Sequence, residues 1–329
     1  ALAGSLAMVS ANAVEYTMSG GLLAVYTTQD MPTTAASSGK GLGVATDLAF
    51  AASGELDNGF TVDYAMAIDT NGILSNTSSQ MKVGMGSLGS FHINNKFGSK
   101  ANGIDDISPT AYNETWDGLT ASDNPSFFGA ATQSGSVDYR IAPQTWEGMT
   151  VNLAVTYDPN QSTGPAVKGG IDTTADSGSA IVLQVASDTG IEVGAGYEIL
   201  GNTAGTITED GEIVTGYVKY AMGGLTASYQ ESYANTAHSQ TTEGADKASS
   251  MMGVAYTMGD LTVSYGMSDL ETHAVSDTAA LITVELESIQ AAYTMGAMTV
   301  SVAMSETDNV AGISAAAYSE NTLAVSFAF

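Results

Sequence analysis

Four carboxylates fall within thirteen positions of one another, Asp105, Asp106, Glu114 and Asp117, in a stretch with few bases nearby. Acids so placed can attract cations, orient dipoles, or hold Ca²⁺ through oxygen ligands, with Asp105 and Asp106 as the adjacent pair. No EF-hand-like spacing surrounds them. Catalytic chemistry has little to work with. The histidines are His92, His238 and His273, and there is no cysteine, which excludes thiolate nucleophiles, thiolate metal sites and disulfides. Neither a Gly-x-Ser-x-Gly elbow, a His-Glu-x-x-His pair nor a Gly-rich phosphate loop occurs. No enzymatic activity is expected, and no cofactor beyond the possible Ca²⁺.

The elements that must position these acids are strands. Leu323, Val325, Phe327 and Phe329 share one parity, and Thr322, Ala324, Ser326 and Ala328 the other. Ile191, Val193, Ala195, Tyr197 and Ile199 alternate with Glu192, Gly194, Gly196 and Glu198 in the same way. Successive side chains of a strand point to opposite faces, so each segment has one apolar and one small or polar face. No apolar run approaches the roughly 20 residues of a spanning helix. With 37 Gly and only 6 Pro, the composition suits many strands joined by tight turns.

A repeat sets the hairpin length. Tyr220, Tyr256 and Tyr293 each precede a Met-Gly turn (Met222-Gly223, Met258-Gly259, Met295-Gly296) and a returning alternating strand. The tyrosines lie 36 and 37 residues apart, and polar loops such as 233–247 and 270–279 separate the copies. A propeller blade would need four strands in a period of about 40–45 residues; here each period holds two. Roughly eight such hairpins, hence about 16 strands of membrane-spanning length, fill the chain. Residues 1–13 read as the remnant of a signal peptide ending at Ala11-Asn12-Ala13, with a single barrel domain over 14–329.

Residues 96–135 break the alternation while carrying Ile104, Ile107, Tyr112, Trp116 and Leu119. A connection this long inside a compact fold is usually functional or disordered, and its apolar content argues against disorder. At this point the sequence resembles the general-diffusion porins of Gram-negative outer membranes, trimeric barrels of 16 strands. Met85–Asn94 looks like that family's turn and fifth strand, and Ser136–Ala142 like its sixth. The resemblance implies an all-β fold: a 16-stranded antiparallel transmembrane β-barrel with short periplasmic turns, long extracellular loops and an inward-folded third loop at 96–135. It also implies a pore constriction of loop acids Asp105, Asp106, Glu114 and Asp117 set against wall residues Lys82, His92, Asp138 and Arg140. Parity agrees in turning Lys82, His92 and Arg140 away from the apolar face. Arg140 is the sole arginine, where the family clusters several, which puts a strong transverse field in doubt. Phe329 corresponds to the family's terminal aromatic assembly signal.

The net charge of −27 argues against nucleic acid, which needs basic surface to release counterions. The same charge would concentrate cations in a pore, weakly so in concentrated salt, where the Debye length falls to about 3 Å at 1 M. The expected protein is a passive outer-membrane channel for small hydrophilic solutes and cations, weakly cation-selective, homotrimeric and in contact with outer-membrane lipid. The rival is a secreted acidic β-repeat adhesin or surface-layer protein. In that case the apolar faces would pack inward instead.

Overall fold

The computed structural model describes residues 15–30, 38–69, 75–96, 98–117, 124–129, 132, 135–159, 177–201, 210–235, 246–273 and 282–329. The signal remnant expected at 1–13, and Leu119, lie outside the described residues.

The strands run in chain order as β1 (Glu15–Asp30), β2 (Gly39–Glu55), β3 (Thr61–Asp69), β4 (Ser75–Gly84), β5 (Ser90–Asn95), β6 (Val137–Arg140), β7 (Gln144–Trp146) and β8 (Met149–Asp158). They continue as β9 (Gly178–Ser187), β10 (Ile191–Leu200), β11 (Gly211–Met222), β12 (Leu225–Asn235), β13 (Asp246–Met258), β14 (Leu261–His273), β15 (Thr283–Met295), β16 (Met298–Asp308) and β17 (Ala317–Ala328). Both β6 and β7 pair with β8 and form one span, interrupted where Pro143 offers no N–H. Sixteen spans result. Each is antiparallel to its neighbour, and β17 returns to β1, from Gly21↔Ala328 to Asp30↔Ser319. Closure is what allows a sheet to stand in hydrocarbon, because no backbone donor or acceptor is left on an edge.

Short turns close one end of the barrel. Met222 pairs with Leu225, Met258 with Leu261 and Met295 with Met298, leaving two residues in each turn. The first of these, Gly223, Gly259 or Gly296, has φ of +59°, +61° or +62°, a region that favours glycine. The other ends of these hairpins reach further than the sequence suggested. β12 extends to Asn235, β13 starts at Asp246 and β14 runs to His273, inside segments expected to be loops. Carboxylates such as Asp246, Asp269 and Glu271 interrupt the apolar alternation there, while the ladder itself continues.

The apolar faces point outward. Val263 is 41% and Phe327 40% exposed, whereas the intervening Ser264 and the neighbouring Ala324 are buried. Outward residues form an apolar outer surface, and Tyr16 and Phe50 bring their rings to 6.3 Å on it. The final residue participates in closure: Gly20 N–H donates to Phe329 O at 2.8 Å, and Phe329 N–H donates to Gly20 O at 3.0 Å. A Cβ on Gly20 would strike the Phe329 ring.

We expect removal of Phe329 to lower the yield of heat-modifiable folded barrel in detergent gels. An unchanged yield would show that neither the ring nor the two closing bonds matter for assembly.

Candidate functional site

The described residues between 98 and 129 lie outside the ladder, so their backbone groups need other partners. Polar side chains on the inner wall supply them. Gln230 of β12 accepts Ile107 N–H at 3.1 Å and donates to the carbonyls of Ile104 at 2.8 Å and Asp105 at 3.2 Å. Gln290 of β15 accepts Tyr112 N–H at 2.8 Å and Asn113 N–H at 3.1 Å, and donates to Asn113 O at 2.6 Å. A primary amide suits this use because it both donates and accepts. Between them Ser264 accepts Ala111 N–H at 2.8 Å. The returning limb is held by Ser249, which donates to Pro125 O at 2.8 Å. Glu198, wholly buried on β10, accepts Gly129 N–H at 2.7 Å and the Thr132 hydroxyl at 3.0 Å. The described parts of the loop thus cross the barrel interior along the wall from β5 round to β15.

Apolar contacts reinforce these bonds. Ala101, Ile104 and Phe128 pack on Ala180, Val182, Ile213 and Tyr217, while Trp116 and Phe127 lie against Leu270, Val284 and Leu286. Burial of Ile104 or Phe128 is worth about 1.5–3 kcal/mol each. Wall glycines permit the approach: a Cβ on Gly196 would strike the Phe128 ring, and one on Gly253 would strike Pro109.

The loop acids lie close to one another and have no base among their charge partners. Burial first, then the charges of Asp106, Asp117 and Asp105, pushes the Glu114 carboxyl up to about 8. Burial likewise raises Asp105 to about 6, against the lowering effect of the Asp106 amide hydrogen bond. Asp106 and Asp117 are also raised, chiefly by burial. Asp105 accepts Asp106 N–H at 2.9 Å, and Asp106 accepts Ser108 N–H at 2.7 Å. Among the described residues no group of three or more His, Asp or Glu is arranged to hold a metal ion.

The wall residues form a separate row. Register places Lys82 between Asp63 and His92, and His92 beside Asp138, across β3 to β6. Lys82 Nζ is 3.0 Å from Asp63, and the Arg140 guanidinium is 2.6 Å from the fully buried Asp138. Arg140 also donates to Gly98 O at 2.5 Å, and Asp138 accepts Lys100 N–H at 2.8 Å, so this row anchors the loop root. His92 Nε2 lies 2.8 Å from the Ser90 hydroxyl. The residues named from the sequence therefore form two groups: Asp105, Asp106, Glu114 and Asp117 on the loop, and Lys82, His92, Asp138 and Arg140 on the wall. Lys82 and Arg140 are each paired with a wall carboxylate, and the charges acting on the loop acids are those of other acids. Sequence reasoning missed Glu198, Gln230 and Gln290. It also missed the inward apolar pads, although Leu286 beside outward Glu285 and Glu287 was a readable parity inversion.

Comparison with known proteins settles the lineage. The profile of the Gram-negative porin family matches residues 1–286.

The chain belongs to that family.

It is a passive channel of the Gram-negative outer membrane. No curated protein matches this porin by sequence. Among solved structures, the anion-selective porin from Comamonas acidovorans is similar with TM-score 0.70 at 12% identity, covering 96% of this chain and 100% of that one. OmpF of Salmonella typhi in complex with daunomycin gives TM-score 0.71 at 11% identity, covering 95% and 97%. OmpT of Vibrio cholerae in its trimer form gives 0.64 at 12%, covering 96% and 100%. Nothing found favours an adhesin, and the apolar faces lie opposite to what one would require.

Gln290 offers a direct test of the loop's attachment. Gln290→Ala leaves three loop backbone groups without partners, at a cost of about 1–3 kcal/mol for each group left buried. Single-channel recordings should then show added conductance noise from a loosened loop; a record as quiet as the parent's would mean these bonds do not hold it.

Proposed function

We propose that this porin passes small hydrophilic solutes and ions with a weak preference for cations. The observation that carries the reading is the loop's four carboxylates, whose interacting charges are acids alone. Placed in the barrel interior, they create, where ionised, a negative potential that Lys82 and Arg140, already paired with Asp63 and Asp138, do little to cancel. The fold itself does not fix the sign, since one similar porin is described as anion-selective. Selectivity has to come from this chain's own residues.

A homotrimer is part of the same proposal. The similar Vibrio protein has a trimer form. On this chain the outward face of β1 to β5 exposes Tyr16, Met18, Leu42, Val44, Tyr64 and Phe91, an apolar surface that a second copy can cover as readily as lipid. Unboiled protein should migrate at the size of three chains and fall to one on boiling; migration as a single chain without boiling would refute the trimer.

In a planar bilayer under a KCl gradient, the reversal potential should have the sign of cation preference. That preference should grow as pH rises through about 8, because Glu114 is protonated below that value and charged above it. A zero or anion-directed potential at high pH contradicts the reading.

A further inference from the structure

The loop tip shares an opening with the wall of β1, β2 and β17. A cavity of about 760 Å³ separates Asn113 and Asp117 from the wall formed by β1, β2 and β17, where Val25, Thr27, Gln29 and Glu320 line it. Parity places Thr27 and Glu320 on the inward face: Thr27 lies 3.4 Å from the buried Thr322, whose parity Glu320 shares. Here the loop stands off the wall, in contrast to β10–β15, where glutamines, serines and apolar pads hold it tightly. A solute therefore finds space on this side of the loop.

Glu320 is fixed in that space. Gln29 Nε2 donates to its Oε2 at 2.7 Å, Tyr318 O–H to the same oxygen at 2.6 Å, and the Thr322 hydroxyl to Oε1 at 3.1 Å. These three hydrogen bonds hold the carboxyl group in one geometry. Across the cavity, Asp117 is raised by burial first and then by the charges of Glu320 and Asp106. The loop carboxyl and the wall carboxyl thus act on each other through the opening.

We infer that the permeation path runs between the loop tip and β1, β2 and β17, and that Glu320 is the wall residue that sets its charge preference. The opening then has acid on both sides, and Lys40, on the outward parity of Leu42 and Val44, is the cation among its lining residues. A cation passing the loop tip gains from both carboxylates, and an anion is opposed by both. The inference rests on the proposed cation preference and names the wall group responsible for it.

Glu320→Gln keeps the shape and removes the charge. At low ionic strength, where screening is weak, its cation-to-anion permeability ratio should fall about twofold, as for one unit charge acting through water. Because the parent has no cysteine, Asn113→Cys gives a single thiol in the same cavity that a bulky cationic methanethiosulfonate can reach. Its modification should reduce conductance by a large fraction. If the parent is cation-preferring but Glu320→Gln leaves the ratio unchanged, Glu320 is not the determinant although the cation reading survives. If modification at position 113 leaves conductance unchanged, the path lies elsewhere. A parent without cation preference would fail the underlying reading itself, whatever the variants do.

Discussion

Everything in this molecule follows from having no water on its outside. Each backbone N–H and C=O within hydrocarbon must be bonded inside the protein, and a ring of strands that ends where it began achieves this without an edge. The pairing of β17 with β1 completes the ring. Once the ring is closed, parity does the rest: residues of one set face outward, those of the other face the lumen. The loop obeys the same rule by other means. Lacking a ladder, it draws its backbone partners from Gln230, Gln290, Ser264 and Glu198.

Much of this was legible because period 2 is a hard geometric signal. The alternation at Leu323–Phe329 and Ile191–Ile199 identified strands, and the Tyr-x-Met-Gly repeats located the tight turns. The loop was legible as a break in that signal. What period 2 alone left open was which face is wet; the terminal aromatic, the repeated tyrosines and the signal remnant turned the reading toward an outward apolar face. Strand ends were less visible, because alternation is apolar only within the hydrocarbon band. Beyond it Glu285, Glu287, Glu306 and Asp308 occupy the outward parity of β15 and β16, and the strands go on.

The inward apolar residues were hidden by the expectation that a lumen is lined with polar groups. Val182, Ile213, Leu270, Val284 and Leu286 face inward because the loop covers them. Their burial belongs to loop–wall packing and gives the loop a fixed seat. The charge layout is likewise a property of placement. Counting 35 acids against 8 bases set the expected sign of the field, but not that Lys82 and Arg140 would each sit against a carboxylate of their own wall.

The central claim is the direction of the two faces, and a nitroxide scan tests it most directly. Single cysteines at successive positions of β14, from Leu261 to Met267, can be spin-labelled in bilayer-embedded protein, since the parent has none. Labels at Val263 and Tyr265 should collide with oxygen dissolved in lipid, and labels at Ser264 and Gly266 with a water-soluble nickel chelate wherever the loop leaves room. The opposite phase would put the apolar set in the interior and contradict the account.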